Sequence, residues 1–165
     1  MKKALNLSTY MLDDALQLAE NGEYQKALKL FLKLKSFYNA ALCYNNLGNR
    51  MLHDKRYKKA IYYYKKALVF KEINHIVLDN MGTCYRELGN ISKAIRLYKK
   101  SLNENKNYNL VKINLESTFM KICDWESLEH YKKVFKLSQK TPFLSIITQD
   151  SPGRNLEAAK KWKSV

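Results

Sequence analysis

Between Tyr44 and Leu68 the chain reads YNNLGNRMLHDKRYKKAIYYYKKAL, and this stretch returns with its packing positions kept at a constant offset. Asn46-Leu47-Gly48 recurs as Asn80-Met81-Gly82, Met51 as Tyr85, Tyr57 as Ile91, Ala60 as Ala94, Tyr64 as Tyr98 and Ala67 as Ser101. Within each copy the large apolar residues follow helical spacing on both sides of a turn near His53 to Arg56. The small residues fall where two antiparallel helices approach closely. One such hairpin cannot bury its own apolar faces, so the copies must stack on one another.

Two weaker copies flank this pair. Downstream, Asn114-Leu115-Glu116, Phe119, Trp125, Leu128, Lys132 and Phe135 keep the apolar character but lose the small residues. Upstream, Asp13-Asp14-Ala15, Leu18, Tyr24, Ala27, Phe31 and Leu34 fit a register one residue shorter, with Gly22 at the turn and the lost residue between Lys35 and Asn39. The L-G-x-x-Y and A-x-x-x-Y/F spacing, carried best by Met81-Gly82, Tyr85, Gly89, Ala94 and Tyr98, resembles the tetratricopeptide repeat. The resemblance covers about residues 8–138, as repeats at about 8–40, 41–74, 75–108 and 109–138. It implies an all-α, right-handed solenoid of about four helix-turn-helix units whose first helices line a concave groove.

The expected helices are Ser8 to Glu20 and Glu23 to Lys35, Phe37 to Leu52 and Tyr57 to Phe70, Asn74 to Leu88 and Ile91 to Asn103, and Tyr108 to Ile122 and Trp125 to Leu137. Residues 1–7 read as a frayed lead-in, with Ser8 as the first N-cap. Gly22 and Gly89-Asn90 supply turn chemistry, and Asp124 is placed to cap the last helix. Both prolines lie beyond this region, as uninterrupted helices require.

Residues 139–165 change texture, with Thr141-Pro142-Phe143, the apolar run Leu144 to Ile147, Ser151-Pro152-Gly153, and Leu156 to Trp162 as a short helix. They are expected to cap the last hairpin or to form a junction. With Cys123-Asp124-Trp125, these words resemble the segment joining repeats to catalytic part in O-linked N-acetylglucosamine transferase-like glycosyltransferases. The resemblance implies either the substrate-recruiting front of such an enzyme or a protein descended from one, whose catalytic region lies beyond this sequence.

Composition narrows the classes that remain. No run approaches the roughly 20 apolar residues of a membrane span, and Asp13-Asp14 interrupt any secretory leader after Met1-Lys2-Lys3. Cys43, Cys84 and Cys123 are unpaired in spacing and read as reduced, part-buried thiols in a cytoplasmic protein. His53, His75 and His130 are too scattered for a metal site. The net charge of +15 invites an acidic partner or anionic surface. Yet lysine far outnumbers arginine, the better reader of phosphate and guanine, so nucleic acid is disfavoured. Lys58-Lys59, Lys65-Lys66, Lys93, Lys99-Lys100 and Lys132-Lys133 all fall on second helices, whose outer faces are ordinarily solvated.

No catalytic constellation or cofactor motif emerges. Leu47-Gly48-Asn49 and Leu88-Gly89-Asn90 lie in a helix and a hairpin turn rather than after strands. Asp13-Asp14 and Glu126 with Glu129 read as solvated pairs, and no Ser or Cys has an activating partner. The candidate binding residues belong to the first helices. Asn46, Asn80 and Asn114 share one repeat position, where Asp13 stands in the first copy. A carboxamide has an acceptor and two donors and can hold a peptide backbone without reading its side chains. The glycosyltransferase resemblance also implies such an asparagine ladder. Asn49, Thr83 and Ser117 lie one turn along, and His53, Glu87 and Lys121 a further turn on.

The expected function is therefore a noncatalytic module binding an extended peptide segment of a protein client in the groove. The rival readings are the recruiting part of a protein glycosyltransferase and a secretion-type chaperone. An acidic partner and self-association through an exposed hairpin edge are further expectations.

Overall fold

The computed structural model describes residues 2–135, and among these residues all regular structure is helical. The helices are α1 (Lys2–Glu20), α2 (Tyr24–Lys33), α3 (Phe37–His53), α4 (Tyr57–Leu68), α5 (Asn74–Glu87), α6 (Ile91–Glu104), α7 (Asn109–Lys121) and α8 (Trp125–Phe135). The chain divides into two compact units, Met1–Tyr108 and Asn109–Val165. In the first, α1 packs on α2, α3 on α4 and α5 on α6. Successive hairpins join through α2 against α3 and α4 against α5, with α3 also meeting α5. In the second unit α7 packs on α8. This is the expected all-α hairpin architecture of a tetratricopeptide solenoid, and the expected cap or junction at 139–165 lies outside the described residues.

Every hairpin turns in the same way. The second residue after the first helix takes a left-handed backbone: Gly22 (φ 76°), Lys55 (φ 57°), Gly89 (φ 79°) and Cys123 (φ 55°). The next residue then donates its N–H back across the last turn. These bonds are Glu23 to the Leu18 carbonyl at 2.8 Å, Arg56 to Met51 at 2.7 Å, Asn90 to Tyr85 at 2.8 Å and Asp124 to Phe119 at 3.0 Å. This Schellman closure satisfies carbonyls that the helix end would otherwise orphan. The following helices start with less uniform chemistry. The Asn90 side chain accepts from Lys93 N at 3.2 Å, and Asp124 accepts from Ser127 N at 3.1 Å, the cap expected from its position.

A small residue on each first helix seats a large ring from its second helix. Gly48 faces Tyr64 and Gly82 faces Tyr98. A β-carbon at either glycine would fall 2.6 Å from the tyrosine Cδ1, closer than van der Waals contact allows. In the first hairpin the corresponding pair is Ala15 and Phe31, both fully buried. In α7 and α8 the seat holds Glu116 and the ring position holds Lys132. Burial raises the Glu116 carboxyl above its ordinary range, and the Lys132 charge partly offsets this. Tyr64 also extends beyond its own hairpin, sharing a core cluster with Ala41, Ala60 and Ala67 and with Ile73, Val77, Met81 and Cys84 of the next.

The structure departs from the sequence expectation at the amino end. Helix α1 runs from Lys2, so residues 2–7 are not a frayed lead-in and Ser8 lies inside the helix rather than capping it. Lys2, Lys3, Ala4, Leu5 and Leu7 are good helix formers, and no breaker separates them from the amphipathic stretch. Cys123, expected to be part-buried at a helix end, is exposed in the α7–α8 turn.

Two substitutions test these opposite demands of the backbone. Gly48→Ala is expected to lower unfolding stability by about 1–3 kcal/mol through overlap with the Tyr64 ring. Lys55→Gly is expected to raise it by up to about 1 kcal/mol by relieving a left-handed residue bearing a β-carbon. Urea unfolding followed by circular dichroism measures both.

Candidate functional site

The residues with the most developed polar geometry sit on α3 and α5. Asn45 and Asn49 are four residues apart and so share one face of α3. The Asn80 carboxamide of α5 donates from Nδ2 to Asn45 Oδ1 at 2.9 Å and to Asn49 Oδ1 at 3.2 Å. Asn49 Oδ1 also accepts from the Tyr64 hydroxyl at 2.8 Å. The ring that fills the Gly48 seat thus ends in a hydroxyl that anchors a surface amide. Burial first, then the neighbouring Cys84 and Asp79, push the Tyr64 hydroxyl well above its ordinary pKa and keep it a donor.

The next repeat copies part of this geometry. Thr83 Oγ1 and the Tyr98 hydroxyl lie 3.2 Å apart, the counterparts of Asn49 and Tyr64. The counterpart of Asn45 is Asp79, buried in α5 and hydrogen-bonded to Tyr108. Burial, the Asp79 charge and that hydrogen bond together push the Tyr108 hydroxyl up to about 12. His75 stands edge-on to the Tyr108 ring with centroids 5.0 Å apart, and its carbonyl accepts from Ser101 Oγ at 2.6 Å.

Of the residues expected to bind, the structure brings together Asn49 and Asn80. Asn46 is half-buried and outside their network, and Asp13 is exposed on α1. Asn114 is half-buried in the second unit, where its carbonyl accepts from Ser117 Oγ at 3.0 Å and from Thr118 Oγ1 at 2.6 Å. His53, Glu87 and Lys121 are exposed. The residue that the repeat register missed is Asn45. A helix turns about 100° per residue, so neighbouring asparagines face different ways, and the i, i+4 pairing with Asn49 was the signal favouring Asn45.

A cleft of about 340 Å³ opens between the first hairpin's turn and α3 and α4, lined by Gly22, Tyr24, Leu47, Arg50, Met51 and Tyr63 among others. Arg50 Nη1 donates to the Gly22 carbonyl across it at 3.4 Å. Among the described residues no three His, Cys, Asp or Glu side chains are grouped to hold a metal ion. No helix among them is long and apolar enough to cross a membrane.

Residues 40–73 and residues 77–109 each match the tetratricopeptide repeat family. These segments are tetratricopeptide repeats. The chain is 31% identical over 130 residues to the human intraflagellar transport protein 88 homolog, covering 74% of this chain and 15% of that protein. It is 29% identical over 93 residues to the mitochondrial import receptor subunit TOM70 of Saccharomyces cerevisiae, covering 56% of this chain and 15% of that protein. The chain thus spans a small part of the length of these curated relatives. Its fold is similar to that of pilF from Pseudomonas aeruginosa, with a TM-score of 0.55 at 16% identity, covering 92% of this chain and 88% of that one. The resemblance of the segment after Cys123 to a glycosyltransferase junction gains no support from these relatives.

The thiols of the repeats give a direct check on the packing. Burial pushes Cys43 up to about 11, and burial followed by the Glu87 charge pushes Cys84 up to about 12, whereas Cys123 is exposed. Only the thiolate is nucleophilic, so raised pKa values keep Cys43 and Cys84 unreactive. Iodoacetamide treatment of the folded chain at about pH 8 is expected to alkylate Cys123 first, read by peptide mass spectrometry. Rapid alkylation of Cys84 would contradict its place between the hairpins.

Proposed function

We propose that the chain is a noncatalytic protein-interaction module whose α3 and α5 asparagines hold the backbone of an extended partner segment. The observation that carries this reading is the accounting within the carboxamide cluster. Asn80 spends its N–H donors on the oxygens of Asn45 and Asn49, and the Tyr64 hydroxyl takes the remaining capacity of Asn49 Oδ1. Asn45 is buried and orients Asn80, so the amide N–H groups of the exposed Asn49 and the oxygen of the half-buried Asn80 are what the cluster has left to offer. That surplus of donors suits peptide carbonyls, and an extended segment presents one on each side at every second residue.

The positions further along supply the rest of the reading. Thr83 would continue the contact on α5, Asn46 and Asp13 are proposed as flanking contacts, and Asn114 and Ser117 are proposed as peptide contacts of the second unit by itself. Among the relatives one is named a transport protein and another an import receptor subunit, which supports binding over catalysis as the role of the repeats.

Panning an immobilised library of random-sequence peptides against the chain tests the proposal, with retained peptides then measured by calorimetry. Asn80→Ala combined with Asn49→Ala is expected to weaken the retained peptides by about tenfold or more, one or two hydrogen bonds being lost. Unchanged affinity with helicity intact would exclude the asparagines as the backbone contact.

A further inference from the structure

The second helices of the first unit, α2, α4 and α6, carry charge of one sign in register. Lys33, Lys66 and Lys100 occupy one repeat position, and Lys26, Lys59 and Lys93 another. All are exposed except Lys93, which is half-buried with its ammonium 4.1 Å above the Tyr85 ring. Among the described residues, Lys26 is the one member of the six with a carboxylate at ion-pair distance, that of Glu23. From Lys55 to Lys71 there is no acidic residue at all. Along the exposed stripe of α4 and its C-cap the lysines flank two apolar side chains one heptad apart, Tyr62 at 58% exposure and Val69 at 71%. Lys66 Nζ lies 5.6 Å over the Tyr62 ring.

We propose that this basic face adsorbs to an anionic bilayer surface. The charges are spread across three helices as well as along them. A single extended acidic peptide would meet one row, whereas a charged plane meets all of them. Lysine contributes a compact charge without the fixed fork that arginine uses on phosphates and guanine. That favours a diffuse anionic surface over nucleic acid, and each lysine near such a surface contributes about fivefold to binding. Tyr62 and Val69 supply what a polyelectrolyte partner would not need. An amphipathic ring and a short aliphatic group among lysines suit the boundary between headgroups and acyl chains. This face is distinct from the α3 and α5 carboxamides, so the proposal stands apart from peptide binding.

The test is cosedimentation of the full chain with vesicles of phosphatidylcholine alone and of phosphatidylcholine with phosphatidylserine at about four to one. The chain is expected to partition onto the anionic vesicles only, and to be released as salt rises toward physiological ionic strength and beyond. The triple variant Lys33→Gln, Lys66→Gln, Lys100→Gln is expected to partition roughly a hundredfold more weakly, with circular dichroism unchanged. Tyr62→Ser is expected to weaken partition several-fold on anionic vesicles at a salt concentration where the lysines are intact. Equal partition onto neutral vesicles overturns the proposal, as does full retention by the triple variant. So does binding to duplex DNA or polyglutamate with none to the anionic vesicles, which would assign the face to a different polyanion.

Discussion

The ring of Tyr64 resting on Gly48 is the contact through which the rest of the structure is connected. Because Gly48 has no β-carbon, α4 approaches α3 closely enough for the ring to be wholly buried. The same ring reaches the core that α5 contributes, so one side chain closes its own hairpin and joins it to the next. Its buried hydroxyl donates to the exposed Asn49, which in turn receives Asn80. Packing and the candidate binding surface are therefore two ends of one residue. Where the seat is lost, as at Glu116 opposite Lys132, the pattern that follows it is lost as well.

The repeat divides its two helices between two kinds of surface. First helices carry neutral carboxamides and hydroxyls whose donors and acceptors are already partly matched to one another. Second helices carry lysines that recur at repeat positions and are mostly exposed. A neutral, directional surface suits a backbone with fixed carbonyl spacing, and a mobile cationic surface suits a partner whose charges have no fixed pattern.

Much of the fold was legible because a period repeats every local choice several times over. The Gly-ring seats, the glycines at Gly22 and Gly89 and the Asp124 cap could each be read from residue type and offset alone. The left-handed turns at Lys55 and Cys123 could not, since neither residue advertises that backbone; the hairpin imposes it to close the helix end. The start of α1 is not marked in the sequence, because Ser8 looks like a cap while helix formers continue on both sides of it. At the candidate site the register selected Asn46, the position shared with Asn80, whereas the structure uses Asn45 with Asn49. A repeat offset identifies equivalent residues, but a hydrogen bond between adjacent repeats joins inequivalent ones, and the sequence pattern carries no direct mark of it.

On the proposed function, the Asn49 and Asn80 carboxamides, tied together through the buried Asn45, hold a partner backbone as one unit. Side-chain amide NMR of the full chain, titrated with the tightest peptide recovered by panning, measures this directly. The three linked amide pairs are expected to shift together, at one shared midpoint, while resonances of the α4 lysines stay in place. A titration in which these amides stay fixed, or move at separate midpoints, would contradict it.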